Sequence, residues 1–306
     1  MFRSPRYLGV SFLKGRMQIA EVEHGRVVQL TALVEGDSST DFVEAGVNLS
    51  PTHPQLARFV EELRALIKRH KLIAESISFA LPPDPLFINI IPVDRELVGA
   101  KLKTYLEWEM RQYFPDSGPK DFIVGSHIIP SSDGGAGQAF MVGLRRGIVE
   151  FVQRAAAELK LKMHLVDVDQ FSTEKTVILN YPEILEHEIV LFGLRFGGLD
   201  ASLIHEGQMT DYRAYALEPS QSPKRSIVEY LRYLKDREIP TPAALILHGI
   251  DISPALIKEL RDETKIKQTV ALNAVRNLPA AKGVYPPFLK DSARFGAAIG
   301  LALRAS

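Results

Sequence analysis

Two short segments of the chain combine glycine with a basic side chain, a pairing that suits phosphate binding. They span residues 8–15 and 192–198, and each begins as an apolar strand and ends in a bend. Glycine allows a tight bend whose backbone N–H groups converge on an anion, and the cation adds electrostatic attraction. The residues that would meet a phosphate are Lys14, Gly15, Arg195, Gly197 and Gly198. The alternative, which the sequence favours, is that these are ordinary hairpin glycines and surface cations.

The two segments occupy equivalent positions in an internal repeat. One constant offset pairs Gly15 with Gly197. The same offset pairs Ser11 with Gly193. The repeat therefore predicts two equivalent bends, one in each half.

A second match in each half supports the duplication. Residues 60–66 and 228–234 share five of seven residues, and each stretch lies on an amphipathic helix pattern. An apolar strand follows in both cases, at 76–81 and 243–248. Each half therefore contains a three-stranded meander, a helix and a further strand in the same order. We predict a duplicated α/β domain.

Between the halves, the patterns predict a small inserted α+β module with a core of its own. Its elements are expected at 86–93 (strand), 96–113 (helix), 122–129 (strand), 138–144 (strand) and 147–161 (helix). A glycine-rich hairpin loop joins the last two strands. The predicted division is residues 1–85 with 163–187 as the first half, 86–162 as the module and 188–306 as the second half.

Composition narrows the function classes. Lys and Arg number 37, and so do Asp and Glu, so a strongly basic nucleic-acid-binding surface is not expected and nucleic acid is excluded as a partner. Cysteine is absent, which excludes disulfides, thiolate metal sites and a cysteine nucleophile. The eight histidines are not at ligand spacing, so no metal site is expected. No apolar run reaches the ~18 residues of a spanning helix, so we expect a cytoplasmic protein without direct membrane insertion.

Four segments carry a family resemblance when they are taken together and in order. They are residues 80–83 with 107–115 (ALPP and EWEMRQYFP), 166–171 with 179–182 (VDVDQF and LNYP), 245–249 (LILHG) and 295–304 (FGAAIGLALR). In this combination the chain resembles the PilM family, the actin-like proteins of type IV pilus assembly, and more distantly the FtsA division proteins. The resemblance covers residues 7–304. It implies an α/β fold with two actin-like, duplicated ribonuclease-H-like halves and an inserted small α+β module.

The resemblance also implies a nucleotide cleft, and the sequence departs from the family there. The family has Asp in both bends, where this chain has Ser11 and Gly193, and it has paired glycines where this chain has Gly249 followed by Ile250. The implied site is therefore degenerate, with no catalytic residue and with no cofactor required. Weak binding of ATP stays open beside its complete loss. The site would consist of Ser11, Lys14, Gly15, Arg195, Gly197, Gly198 and Gly249.

By resemblance, the expected function is that of a scaffold rather than an enzyme. Such a protein captures the N-terminal cytoplasmic tail of a PilN-like inner-membrane protein in a groove between the first half and the inserted module. The L-type proteins of type II secretion have a similar cytoplasmic region. Expected groove residues are Phe87, Ile91, Tyr105 and Trp108, although each also suits a core position.

The scaffold would then be held at the inner membrane through its partner, and self-association stays open. The alternative function is that of an active ATP-Mg-binding actin-like ATPase or of a small-molecule kinase. A kinase needs an aspartate base near the cleft, and the missing carboxylates favour the scaffold.

Overall fold

The computed structural model describes residues 4–13, 15–43, 48–94, 96–116, 121–129, 137–218 and 221–304. Lys14, one of the residues expected to meet a phosphate, lies outside these ranges. Among the described residues, the strands form two five-stranded sheets and one three-stranded sheet.

The first half is built on a meander of three antiparallel strands. Its elements are β1 (Arg6–Leu13), β2 (Arg16–His24), β3 (Val28–Asp37), α1 (Gln55–Arg69), β4 (Ser76–Leu81) and, after the inserted module, β8 (Lys162–Val168). β4 lies parallel to β1, and β8 lies parallel to β4. The strand order is therefore β3-β2-β1-β4-β8. β4 lies between β1 and β8, and residues 77–81 of this short strand are buried, as an interior position requires.

The second half repeats this topology. Its elements are β9 (Ile189–Arg195), β10 (Gly198–His205), β11 (Gln208–Ala216), α5 (Lys224–Asp236), β12 (Ala244–Gly249), α6 (Pro254–Thr264) and β13 (Gln268–Ala271). The strand order is β11-β10-β9-β12-β13, which matches the first half position by position. Gly15 and Gly197 both have a positive φ, +68° and +73°, at the equivalent bends. The predicted duplication is confirmed.

The inserted segment forms its own three-stranded sheet. Its elements are β5 (Leu86–Val93), α2 (Gly99–Tyr113), β6 (Phe122–Ile129), β7 (Gly137–Arg145) and α3 (Arg146–Glu158). The strand order is β5-β7-β6, so β5 and β6 are the edges. Alternate residues of β7 reach opposite cores: Phe140 and Val142 join the core of the first half, whereas Met141 packs with Leu106 beneath α2.

Helix α3 packs with the first half. The ring of Phe151 lies 5.4 Å from the ring of Phe59 on α1, and Ile148 and Val152 belong to the same buried cluster. The division into three domains proposed from the sequence stays a proposal, and this packing favours a module that ends close to Arg145 rather than at residue 162.

Two buried helices join the halves. They are α4 (Asp169–Asn180) and α8 (Gly296–Leu303), and α8 follows the short α7 (Pro286–Lys290). A β-carbon on Gly300 would collide with the carbonyl oxygen of Ser172, and one on Gly9 would collide with that of Ala298. Glycine at these positions therefore lets α4, α8 and β1 approach closely, which holds the two sheets in fixed positions. None of the described helices is long and apolar enough to cross a membrane.

Candidate functional site

The first bend presents a polar ladder that crosses three strands. Ser11 on β1 pairs with Gln18 on β2, and Gln18 pairs with Glu35 on β3. Ser11 is only 1% exposed, and its hydroxyl has no hydrogen-bond partner within the described part of the chain. The hydroxyl is therefore enclosed, and it contributes no charge to the cleft.

Glu35 is the carboxylate of this ladder, and arginines from both halves already pair with it. Its carboxylate lies 3.3 Å from Arg16 Nε and 3.3 Å from Arg294 Nη1. It also accepts a hydrogen bond of 3.0 Å from Gln18 Nε2. The first bend therefore offers a neutral hydroxyl, an amide and a carboxylate that is already neutralised.

At the second bend, other side chains fill the place of the expected carboxylate. A β-carbon on Gly193 would lie 2.5 Å from Gln170 Oε1 and 2.7 Å from His248 Nε2. His248 Nε2 donates to Gln170 Oε1 at 2.7 Å, and Gln170 Nε2 donates to Ser202 Oγ at 2.8 Å. These buried groups satisfy one another, so position 193 has no room for any side chain.

His248 takes part in this network as a neutral ring. Burial lowers the pKa of His248 to about 3, because the enclosed site disfavours a charged imidazole. The ring therefore acts as a hydrogen-bond donor and supplies no positive charge for a phosphate.

Arg195, which the sequence offers as a phosphate ligand, is held by two carboxylates. Its Nη1 donates to both oxygens of Asp84 at 2.7 and 2.8 Å, and its Nε donates to Asp200 Oδ2 at 2.8 Å. The Arg195 side chain is 11% exposed. The Tyr212 hydroxyl donates to the other oxygen of Asp200 at 2.9 Å. A β-carbon on Gly198 would collide with the guanidinium, so glycine at this position makes room for Arg195.

A third carboxyl lies beside this pair. Asp169 is buried in the first turn of α4. Burial, and then the neighbouring carboxylate of Asp200, raise the pKa of Asp169 to about 7, against the opposing effect of Arg195. Arg195 therefore places one positive charge beside the carboxyl groups of Asp84, Asp169 and Asp200.

A cavity of about 410 Å³ lies between the two bends, and its wall is largely apolar. Its apolar lining consists of Phe12, Leu13, Phe42, Val43, Pro82 and Phe196. Gly15, Gly197 and Arg195 also border it, so the structure brings these three sequence-selected residues together. Phe196 is 62% exposed at the rim. The walls offer a phosphate group mostly hydrocarbon.

Gly249 lies at a separate cavity of about 910 Å³ in the second half. A β-carbon here would collide with the carbonyl oxygen of Leu194, and the φ of +99° also favours glycine. The Ile250 amide donates to that same carbonyl at 2.9 Å. The backbone packing therefore explains the glycine at position 249 without a bound nucleotide.

A groove runs between two strand edges, those of β5 and β11. Two cavities of about 360 and 190 Å³ follow one another along it. Leu86 and Ile88 line one side, and Tyr212, Arg213 and Ala214 line the other. The Ile90 amide donates to Oδ1 of the preceding residue, Asn89, at 2.9 Å, so this N–H is not part of the pairing with β7. Both strands are outermost in their sheets.

The four residues expected to bind a partner lie on the other side of β5. Phe87 and Ile91 pack in the module core beneath α2, and Ile91 is 2% exposed. The Tyr105 hydroxyl lies 2.9 Å from the Pro92 carbonyl and 2.7 Å from Glu109 Oε1, and burial with Glu109 raises the pKa of Tyr105 to about 12. Trp108 stacks on Tyr105 and is 53% exposed. Of the four, Trp108 is the one that presents most of its side chain to solvent.

Several residues of the site escaped the sequence analysis. The structure adds Asp84, Gln170, Asp200 and His248 to the cleft, and Ile88 and Arg213 to the groove. The repeat contained a signal for Asp200, because the offset that pairs Ser11 with Gly193 also pairs Gln18 with Asp200. Asp84 stands between prolines and has no sequence pattern that marks it.

The comparisons with known proteins find similar folds but no family model or curated protein with a matching sequence. Among solved structures, a PilM-PilN type IV pilus biogenesis complex is similar with a TM-score of 0.78 and 16% identity, over 97% of this chain and 98% of that one. A Bacteroides thetaiotaomicron protein of unknown function with an actin-like ATPase fold gives a TM-score of 0.52 and 13% identity, over 89% and 92%.

The chain has an actin-like fold. The protein EutJ of ethanolamine utilisation from Carboxydothermus hydrogenoformans is similar as well, with a TM-score of 0.51 and 11% identity over 99% and 91% of the chains. Identities this low support a shared fold, and one fold hosts many functions. Function has to be argued from the site.

The actin-like fold implies a nucleotide with Mg²⁺ between the halves, and the residues present do not fit the ion. Position 11 is an enclosed hydroxyl, and position 193 has no space for a carboxylate. Asp84 and Asp200 lie at the second bend, and both already pair with Arg195. We therefore place no Mg²⁺-dependent step on these residues.

Proposed function

We propose that this chain is a cytoplasmic actin-like scaffold of type IV pilus assembly, or of the related type II secretion assembly. In this role it binds the N-terminal cytoplasmic tail of a PilN-like inner-membrane protein, stays at the membrane through that partner, and does not hydrolyse ATP. The groove between β5 and β11 carries the proposal. The similarity in fold to a PilM-PilN complex over nearly the whole chain supports the choice of system.

The groove suits an extended peptide. An outermost strand has backbone N–H and C=O groups that are not used within its own sheet, and an added strand can pair with them. The groove is bordered on β11 by residues 211–216, and a strand of six residues is about 20 Å long. Leu86, Ile88 and Tyr215 offer apolar contacts for alternate side chains of the peptide.

The geometry of the bends supports the proposed loss of hydrolysis. Phosphoryl transfer depends on a cation that neutralises charge between the phosphates. The carboxylates of Glu35, Asp84 and Asp200 at the bends already pair with arginines, which favours the scaffold over the alternative of an active ATPase or small-molecule kinase. ATP bound weakly and without turnover remains compatible with the scaffold role.

The experiment is a binding titration with a synthetic peptide of about 20 residues that copies the N-terminal cytoplasmic tail of a PilN-like inner-membrane protein. Ile88→Lys should weaken binding at least tenfold, because it places a charge in the groove. Ile128→Lys is the matched control, since Ile128 is a half-exposed isoleucine on β6, the opposite edge of the same sheet. The Ile128→Lys variant should bind the peptide with the affinity of the wild type.

Ile88 is partly buried, so a second variant separates binding from folding. Ala214→Glu changes an exposed position of β11 that borders the same groove. It should weaken the peptide to a similar extent without lowering the melting temperature. The groove assignment fails if the peptide binds Ala214→Glu and Ile88→Lys as tightly as the wild type, or if the wild type does not bind it at all.

A further inference from the structure

Arg195 links parts of the chain that are far apart in sequence. Asp84 precedes β5, Arg195 ends β9, and Asp200 lies within β10. The guanidinium bonds both carboxylates, with distances of 2.7 to 2.8 Å. Guanidinium keeps its charge at every pH at which proteins are folded, so the arginine side of this link does not titrate.

We propose that Arg195 is the built-in cation of this cleft, and that its bridge from Asp84 to Asp200 holds the edges of β5 and β11 at the spacing that forms the groove. The positive charge that a bound cation would bring to the second bend is supplied here by the chain itself. This proposal rests on the proposed function only for what the groove binds.

The bridge lies next to both strand edges of the groove, that of β5 and that of β11. Asp84 lies two residues before Leu86, where β5 begins. Asp200 pairs directly with Ala214 on β11. Asp84 and Arg195 also line the larger cavity of the groove. A displacement of Asp84 away from Arg195 would therefore move the start of β5 away from β11.

The carboxylates of the bridge are partly or fully shielded from solvent. The Asp200 side chain is 5% exposed and that of Asp84 is 29% exposed. Removing one partner of such a set leaves another charge without compensation, which destabilises the local arrangement more than loss of a surface ion pair would. The link across the groove is the Asp84 side of the bridge, and a substitution at Asp84 leaves Asp200 as a carboxylate partner of Arg195.

The test is amide hydrogen exchange on the full-length chain without any added ligand, in wild type and in Asp84→Asn. The substitution keeps the shape and removes the charge. Amides of residues 86–93 and 208–216 should exchange at least fivefold faster in the variant, while those of β12 and β13 keep their wild-type rates. Glu183→Gln is the matched control, because Glu183 is a carboxylate that pairs with an arginine, Arg276, outside the groove.

Wild-type exchange rates in Asp84→Asn would overturn the bridge. Arg195→Gln is the second variant and should accelerate exchange in the same two segments. Together, the exchange rates and the peptide titration distinguish failure of the bridge from failure of the proposed function. Faster exchange in Asp84→Asn together with no peptide binding by the wild type would keep the bridge and reject the groove's proposed use. Unchanged exchange together with weakened peptide binding by Ile88→Lys would reject the bridge and keep the function.

Discussion

Gly193 and His248 lie so close that a β-carbon on the glycine would be 2.7 Å from Nε2 of the histidine. His248 in turn donates to Gln170, whose side chain lies equally close to Gly193. The two residues are neighbours on the parallel strands β9 and β12. Their packing closes the second bend to the carboxylate that an actin-like nucleotide site would place there.

Gly193→Ala should destabilise the protein, because even one methyl group displaces Gln170 or His248 from the buried network. Overpacking of this kind costs roughly 1–3 kcal/mol in the free energy of unfolding, which urea denaturation followed by circular dichroism can measure. Gly125→Ala is the control: a β-carbon at Gly125 meets nothing within 4 Å, so its unfolding midpoint should hardly move. Equal stability of Gly193→Ala and wild type would contradict the packing described here.

Purified protein should show no magnesium-dependent ATP turnover above background. The physical reason is that the carboxylates at the bends already pair with arginines, Glu35 at the first bend and Asp84 and Asp200 at the second. Phosphate release is measured with and without EDTA over a range of protein concentrations. Robust turnover that disappears in Asp169→Ala or Lys14→Ala would show that an active site exists and that the scaffold proposal is wrong about hydrolysis.

Asp169→Asn should stabilise the protein more at pH 8 than at pH 4. The pKa of Asp169 is raised to about 7 in the folded state, from an ordinary value of 3.8, so the folded state holds this proton more tightly than the unfolded state does. The contribution of Asp169 to stability is therefore present below about pH 4 and is lost as the pH rises to about 7.

Asparagine does not titrate, so the difference in unfolding free energy between variant and wild type should grow across that range, by up to ~1.4 kcal/mol per pH unit. Urea denaturation at pH 4, 5.5, 7 and 8 measures it. A difference that stays constant with pH would mean that Asp169 is not in the environment described.

Trp108→Ala should leave peptide affinity unchanged if the groove lies between β5 and β11. Trp108 stacks on Tyr105 on the outer side of α2, away from Ile88 and Arg213. The same peptide titration that tests Ile88→Lys measures this variant. A large loss of affinity in Trp108→Ala, with Ala214→Glu binding normally, would move the binding surface to α2, which carries two of the four residues that the sequence analysis selected.

The sequence by itself determined the duplicated halves, the inserted strands and helices, and the two bends that lack carboxylates. These features are local: a bend depends on the glycine that it contains, and a strand or helix depends on the periodicity of its own apolar residues. The repeat then predicted the arrangement of both halves, because two halves with the same pattern of apolar residues bury equivalent faces of their strands and helices. The matching order of the two five-stranded sheets follows from this.

Tertiary structure alone decided which side chains fill the cleft and which face of β5 is available. Gln170 meets His248 over 78 positions of sequence, and Arg195 meets Asp84 over 111, and no local pattern specifies such contacts. The alternation along β5 divides its residues into two faces, but it cannot say which face another element will cover. Because α2 covers Phe87 and Ile91, the groove belongs to Leu86 and Ile88 on the other side.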